Sequence, residues 1–193
     1  MASDAAAQDI EEEEAIPELS AEERRRRDEA SAQIRKLGDP VLKMRALPVT
    51  RFDDALRRQV EAMREVMDGA LGIGLAATQV GVVERVLVYR MQSQAPAIAV
   101  VNPEVQWSSD ELETAEEGCL SIPGVHVDVE RSLHVRVGAL DESGSPFTIE
   151  ASGLEARVLQ HEIDHLDGVL MLDRTTREQR RDAVREWRER EQG

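Results

Sequence analysis

Two histidines and a glutamate in one short segment could bind a metal ion and supply a base. Residues 160–165 read Q-H-E-I-D-H. In an α-helix, residues four apart share a face, so His161 and His165 can offer two imidazoles to one ion while Glu162 lies beside them. Neutral imidazoles suit Zn²⁺, Fe²⁺ or Ni²⁺, and a carboxylate next to a metal-bound water can accept its proton. The chain has only four histidines, so the pattern favours a metal site over an amphipathic helix with two chance histidines.

The third ligand of such a site is left open by this motif. A catalytic ion usually has three protein ligands and one open position. Residues 161–171 read H-E-I-D-H-L-D-G-V-L-M, which is close to the zinc-protease pattern H-E-x-x-H-x-x-G-x-x-H. Met171 stands where that pattern needs its last histidine. A later glutamate such as Glu186 could complete the site of a different protease class.

Length and composition restrict the classes of protein that the chain can belong to. The 193 residues, 41% of them hydrophobic, predict one domain with a real core. The net charge of −15 argues against a sequence-specific nucleic-acid binder. No apolar run approaches the roughly 20 residues of a membrane span. The N-terminus lacks the features of a secretory or organelle leader, so we expect a cytoplasmic protein.

The two ends of the chain differ in composition from its middle. Residues 1–30 contain eleven acidic residues against four arginines, and blocks of glutamate and of arginine follow each other. This composition predicts an acidic extension that is disordered or forms a frayed helix. Residues 174–193 mix charges of both signs with few apolar residues, which predicts a charged, mostly solvent-exposed helix. Residues 31–173 form the predicted catalytic domain.

Periodicity within the middle segment predicts the elements that position the motif. Residues 53–71 are apolar on one side and predict a helix of about five turns. Closely spaced glycines in residues 72–81 predict close backbone approach to a ligand or a strand, and Gln79 is the polar residue that stands out there. Strands are predicted over residues 85–89, 97–101, 104–107, 126–140 and 146–151. The metal helix is predicted from residues 153–154 to residues 167–168.

Three stretches of this chain resemble the signature motifs of the peptide deformylases. They read G-I-G-L-A-A-T-Q over residues 72–79, E-G-C-L-S over residues 117–121, and Q-H-E-I-D-H over residues 160–165. Further similarity in residues 101–104 and 169–173 extends the resemblance to residues 34–173. The resemblance implies an α+β fold of mostly antiparallel sheets around a central metal-binding helix, with an N-terminal and a C-terminal helix. It also implies removal of the formyl group from the N-terminal methionine of new polypeptides.

The resemblance assigns the third ligand to the lone cysteine, Cys119, which by itself is more often a small buried hydrophobe. Cys119, His161 and His165 would hold one ion per chain. The family favours Fe²⁺, with Zn²⁺, Ni²⁺ or Co²⁺ as substitutes, and a thiolate with two imidazoles suits such ions. Glu162 would accept the proton of a metal-bound water that attacks the formyl carbon, and would pass it to the departing amine as formate is released.

Two donors for the negative charge on the formyl oxygen follow from the same resemblance. They are the side-chain amide of Gln79 and the backbone N–H of Leu120, each worth about 3 to 4 kcal/mol by comparison with other oxyanion holes. Candidates for the apolar slot that takes the methionine side chain are Ile73, Leu154 and Val158, although plain core packing explains the same residue types. The peptide would lie extended beside the backbone of residues 72–74, including Gly74.

Further predictions concern residues that differ from the family pattern and one pair of opposite charges. His126 follows Pro123 where many bacterial relatives have an arginine, so it either replaces that arginine at the methionine slot or is a surface histidine. Arg157 stands inside the metal helix where an apolar residue is expected, and we expect it to open the slot to solvent. Glu117 is predicted to pair with Arg131 and fix the cysteine loop.

The expected partners are N-formylmethionyl nascent peptides, and the chain is expected to be monomeric. The family suggests transient contact between the C-terminal helix and the ribosome, although a plain solvated helix explains the same residues. Two other functions stay open at this stage. One is a zinc endopeptidase that uses Glu186 or a neighbour as its third ligand. The other is a metal-stabilised binding domain without activity.

Overall fold

A computed structural model describes residues 19–92 and 95–192, which form four helices and seven strands. The helices are α1 (Ala21–Ser31), α2 (Asp54–Gly69), α3 (Leu154–Leu166) and α4 (Arg177–Gln192). The strands are β1 (Gly74–Ala76), β2 (Val86–Tyr89), β3 (Ile98–Ser108), β4 (Leu112–Cys119), β5 (Ile122–Ser132), β6 (His134–Leu140) and β7 (Pro146–Ser152). All strand pairs are antiparallel, in a five-stranded sheet of order β1-β2-β3-β6-β7 and a separate β4-β5 pair. The predicted α+β class is confirmed.

Helix α2 packs its apolar stripe on the five-stranded sheet. The Asp53 side chain caps its start by accepting from the backbone N–H groups of Ala55 and Leu56 at 2.9 and 3.3 Å. Val60, Met63 and the rest of the stripe are buried, and burial of such side chains contributes about 1.5 to 3 kcal/mol each. The helix predicted over residues 53–71 is confirmed, and its methionines are core residues.

Helix α3 lies at the centre of the molecule and contacts both sheets. It packs against β1, β2 and β7 of the larger sheet and against β5 of the smaller one. Its buried apolar residues are Ala156, Val158, Leu159, Ile163 and Leu166. Gly153 begins the helix with φ 56°, a left-handed conformation that favours glycine. The predicted central helix and its boundaries are confirmed, so the residues of Q-H-E-I-D-H lie on a helix that both sheets hold in place.

The strand predicted separately over residues 104–107 is a continuation of β3. Asn102 has φ 51° and lies at a register irregularity between β3 and β6. Its side chain accepts from the Val49 backbone N–H at 2.8 Å and donates to the Val49 carbonyl at 2.9 Å. These two hydrogen bonds hold Asn102 at an irregularity within one long strand, whereas Asn102-Pro103 in the sequence predicted the end of a strand.

Helix α1 occupies part of the extension for which disorder or a frayed helix was predicted. Ser20 and Glu23 form a capping box, with hydrogen bonds of 2.8 and 3.2 Å in the two directions. Ala30 is buried against Gly69 of α2, where a Cβ on the glycine would come within 2.7 Å of the alanine Cβ. The helical alternative therefore describes Ala21–Ser31, and a contact between small residues fixes this polar helix to α2. Residues 1–18 lie outside the described residues.

Helix α4 is mostly exposed, as predicted, but one narrow stripe of it is buried. Ala183 and Trp187 pack with Ile122 and Val129 of β5 in a separate core cluster. Glu186 pairs with Arg190 on the helix surface at 2.8 Å. No described helix has the length and apolar content needed to cross a membrane.

Candidate active site

Cys119, His161 and His165 come together although more than forty residues separate the cysteine from the histidines. Cys119 ends β4, and the two histidines lie one turn apart on α3. Their candidate ligand atoms all lie within 4.8 Å of one another. The Cys119 Sγ is 3.3 Å from His165 Nε2, and the two imidazole rings meet edge to face with centroids 4.9 Å apart. One sulfur and two nitrogens at this spacing suit a single tetrahedral divalent ion.

The protonation states around the cluster also suit a metal ion. Burial would raise the pKa of the Cys119 thiol, but the charge of His165 and hydrogen bonds from both histidines hold it well below its usual range. The lowered pKa favours the thiolate form of Cys119, which is the form that binds metal ions. His161 Nδ1 lies 2.9 Å from Glu117 Oε2. A proton on Nδ1 donated to that carboxylate leaves Nε2 free as a ligand, which is a common arrangement at metal sites.

A buried network of charges surrounds His161. Arg131 donates to both carboxylate oxygens of Glu117 at 2.9 and 3.0 Å, which confirms the predicted pair. The same arginine donates to Asp164 at 2.5 Å, and Arg174 donates to both oxygens of Asp164. Burial would raise the pKa of Glu117, but hydrogen bonds from His161 and Arg131 lower it to about 2. Glu117 is therefore an anion that orients a candidate ligand. The role of Asp164 in this network was not predicted, although Asp164 lies between His161 and His165 in the sequence.

Arg157 does not open the methionine slot to solvent, as the sequence had suggested. Only 6% of its surface is exposed. Its guanidinium donates to Glu117 Oε1 at 2.9 Å and to the backbone carbonyls of Val129 and Glu113 at 2.8 and 2.7 Å. The expectation was wrong because buried acceptors on β4 and β5 satisfy the charge. Arg157 thereby ties α3, which carries the histidines, to the strand pair that carries the cysteine.

Glu162 is a buried carboxylate with one oxygen left unpaired. It is 5% exposed, and its Oε2 has no hydrogen-bond partner among residues 19–92 and 95–192. Burial raises the pKa of Glu162 above its usual value. Gly74 faces this side chain, and a Cβ on the glycine would lie 2.9 Å from both Cγ and Cδ of Glu162. The absence of a side chain at Gly74 is thus what admits the carboxylate.

Gln79 is held rigidly beside the cysteine. It is 2% exposed, and its Oε1 accepts from the Ala76 backbone N–H at 2.9 Å. That bond orients the amide so that Nε2 points to the Ser121 hydroxyl at 3.2 Å and to Cys119 Sγ at 3.7 Å. Leu120 follows the cysteine, and its carbonyl accepts from Lys36 Nζ at 3.1 Å. Both residues predicted as oxyanion donors therefore border the cysteine.

A cavity of about 750 Å³ opens onto this cluster. Cys119, Gln79, Leu120, His161 and Glu162 are among the residues that line it. All the residues predicted to bind substrate line it as well: Ile73, Gly74, Leu154, Val158 and His126. Ile73 and Leu154 are about half exposed, whereas Val158 is 5% exposed and also belongs to the core. The ring of His126 is exposed at the rim and lies over Gly118.

The other residues considered as third ligand lie elsewhere. Met171 is buried in the core beneath α4, and Glu186 pairs with Arg190. Within the described part of the chain, the group that could hold a metal consists of Cys119 and the two histidines. This grouping does not support the endopeptidase alternative based on Glu186.

Comparison with known proteins gives consistent matches over most of the chain. Residues 31–181 match the family model described as polypeptide deformylase. The chain is 44% identical over 159 residues to a peptide deformylase of Picosynechococcus, covering 81% of this chain and 85% of the relative. It is 49% identical over 142 residues to a peptide deformylase of Thermotoga neapolitana, covering 74% and 85%.

Solved structures agree with these sequence matches. A peptide deformylase from Synechococcus elongatus in complex with actinonin is 44% identical, with a TM-score of 0.77 and coverage of 79% of this chain and 85% of the other. A peptide deformylase from Legionella pneumophila is 40% identical, with a TM-score of 0.79 and coverage of 82% and 94%.

Proposed function

The chain belongs to the polypeptide deformylase family, and from this premise we propose that it hydrolyses the formyl group from the N-terminal formylmethionine of new polypeptides and releases formate. One observation carries the proposal. An unpaired oxygen of the buried Glu162 lies on α3 between His161 and His165, the two histidines that converge with Cys119. Such a combination of ligands and base is typical of metal-assisted hydrolysis.

Cys119, His161 and His165 are the residues that would hold the ion, one per chain. We propose Fe²⁺, with Zn²⁺, Ni²⁺ or Co²⁺ as substitutes, because a thiolate and two imidazoles suit these ions. When bound, the ion supplies a Lewis acid that polarises the formyl carbonyl and lowers the pKa of water. Glu117 keeps the His161 ring in the required tautomer through its 2.9 Å hydrogen bond.

Glu162 moves the proton in this proposal. Its Oε2 accepts a proton from the attacking water and later passes it to the nitrogen of the departing amine. Burial raises the pKa of Glu162, which makes its carboxylate a stronger base, and a group that must both accept and donate a proton works best with a pKa near the operating pH. Removing the Glu162 carboxylate is therefore expected to stop hydrolysis without removing a metal ligand.

Gln79 and Leu120 stabilise the charge that develops on the formyl oxygen. The Gln79 NH₂ is aimed at the cysteine end of the cavity because Ala76 fixes its oxygen. The Leu120 backbone N–H is the second donor. In other enzymes each such donor contributes about 3 to 4 kcal/mol of transition-state stabilisation.

The peptide binds as an added strand along β1. Strand β1 is at the edge of the five-stranded sheet, and its Gly74 and the preceding Ile73 line the cavity. An extended peptide can add to such an edge through backbone hydrogen bonds. The methionine side chain enters the slot formed by Ile73, Leu154 and Val158, with His126 at its rim. This slot accounts for selection of the methionine side chain alone.

The test is formate release by anaerobically prepared, Fe²⁺-loaded protein from formyl-Met-Ala-Ser. We expect turnover by the wild type and a loss of about 10²-fold or more in Glu162→Gln, the scale of general acid-base catalysis. The control Glu130→Gln removes an exposed carboxylate from β5 and is expected to behave as wild type. A loaded wild type that releases no formate would support the alternative of a metal-stabilised binding domain.

Three further expectations belong to this proposal. The enzyme works in the cytoplasm, where new polypeptides are made, and it is a monomer. We also propose that α4 contacts the ribosome transiently, and the exposed arginines of that helix support this.

A further inference from the structure

Helix α1 lies almost entirely before the segment that matches the family model, yet it borders the same cavity as Cys119 and His161. The match begins at residue 31, where α1 ends. The helix is anchored to α2 by the contact between Ala30 and Gly69. Its last two turns place Arg27, Asp28 and Ser31 in the lining of the cavity. We call these three residues the α1 wall.

The charged groups of the α1 wall are available to a ligand. Within the described ranges, neither the Arg27 nor the Asp28 side chain makes a hydrogen bond or an ion pair. By contrast, Arg25 on the same helix pairs with Glu29 at 3.6 Å and lines no part of the cavity. Lys36 Nζ donates to the Ser31 carbonyl at 3.0 Å and to the Leu120 carbonyl at 3.1 Å. This lysine fixes the wall relative to the loop after Cys119.

The cavity leads from the reactive end to the α1 wall. Gly74 faces Glu162, and the chain before it, residues 70–73, continues along the cavity to the end of α2. Helix α1 packs against this end of α2. A peptide that extends along the β1 edge advances about 3.3 Å per residue. Its residues beyond the methionine are therefore directed towards the α1 wall.

We propose that the α1 wall binds the backbone of the peptide downstream of formylmethionine, an inference that rests on the proposed deformylase function. An extended peptide presents N–H donors and carbonyl acceptors at every residue. The Arg27 guanidinium can donate to carbonyls, and the Asp28 carboxylate can accept from N–H groups. The pair thus matches peptide backbone of any sequence and carries no net charge, which suits an enzyme that processes many different chains.

The test compares two amidated peptides, formyl-Met-Ala-Ser and formyl-Met-Ala-Ser-Ala-Ala-Ala, with the loaded full-length protein. We expect kcat/KM of the wild type to be about three- to tenfold higher for the hexapeptide, mainly through KM, because one or two net hydrogen bonds have that value. In the Arg27→Ala, Asp28→Ala double variant we expect the ratio of the two kcat/KM values to fall to about one, because kcat/KM is lowered more for the hexapeptide than for the tripeptide.

The matched control is the double variant Arg25→Ala, Glu29→Ala, which also removes one charge of each sign from the exposed side of α1. It is expected to keep the advantage of the hexapeptide. Equal kcat/KM for the two peptides in the wild type, or an undiminished ratio in Arg27→Ala, Asp28→Ala, would overturn the inference and leave the proposed function standing. No formate from either peptide would refute the function itself, and the inference with it.

Discussion

Replacing Arg157 with methionine should loosen the connection between the two halves of the candidate metal site. The guanidinium makes two buried hydrogen bonds, to Glu117 and to the Val129 carbonyl, and a partly buried one to the Glu113 carbonyl. Breaking a buried ionic contact costs about 3 to 5 kcal/mol when one partner is left uncompensated. Glu117 keeps Arg131 and His161 as partners, so we place the loss for Arg157→Met at the lower end, about 3 kcal/mol.

Two measurements test this prediction. The first is thermal unfolding of the metal-free protein in the presence of a chelator, and the second is a Co²⁺ titration of folded metal-free protein from which the chelator has been removed. For a domain of this size, a loss of about 3 kcal/mol lowers Tm by roughly 6 to 12 °C. Loss of residues that orient metal ligands typically weakens metal affinity by 10- to 100-fold, and we expect the same for Co²⁺. The control Arg136→Met breaks an exposed ion pair with Glu150, which should contribute less than about 1 kcal/mol.

An Arg157→Met protein that unfolds within about 1 °C of the wild type and binds Co²⁺ equally well would refute the reasoning, because a methionine of similar length would then fill the site as well as the ion pair does. Arg157→Lys gives a second comparison. A lysine keeps the charge but cannot reach three acceptors with a planar fork, so the Tm and Co²⁺ affinity of this variant should lie between those of the Arg157→Met variant and the wild type.

Three further perturbations test single contacts. Cys119→Ala removes the sulfur ligand, and Co²⁺ binding measured by titration should be lost, whereas retained binding would favour a different third ligand. Gly74→Ala places a methyl group against Glu162, so formate release should fall at least tenfold with Co²⁺ affinity retained. Asp173→Asn concerns pH: burial would raise the pKa of Asp173, but hydrogen bonds from Lys43 and backbone lower it. The charged form therefore stabilises the fold above pH about 4, and this stability is lost as pH falls through the lowered pKa. The variant should be less stable than wild type at pH 7, and the difference measured in denaturation curves should shrink as the pH is lowered below about 4.

The central elements could be predicted from the sequence because their signals are local. The 3.6-residue period of α2 and the i, i+4 spacing of His161 and His165 depend on residues within one helix. The strands on either side of the Asp141 turn are equally local. Cys119 was different, because a single cysteine carries no signal of its own, and only its neighbours Glu117 and Gly118 within a family motif indicated its place.

The features that the sequence did not predict depend on contacts between residues far apart in the chain. The order of α1 depends on Ala30 meeting Gly69, which the composition of a charged segment does not reveal. Arg157 resembled a solvent-seeking residue because its acceptors, Glu117 and the carbonyls of β4 and β5, lie about thirty to forty positions away. Burial of a charge is stable only where partners converge, and that convergence is a property of the tertiary fold.

The shortness of β1 has a consequence for how tightly a peptide can be held. The strand has three residues. Leu71, three positions before it, has φ 59°, which is not a strand conformation, so the strand cannot extend in the N-terminal direction past this residue. Few backbone hydrogen bonds can form along so short an edge, so under the proposed function the deformylated product would gain little from staying bound and would dissociate quickly. The same short length gives a second copy of the protein little backbone to pair with, which disfavours self-association at this sheet edge.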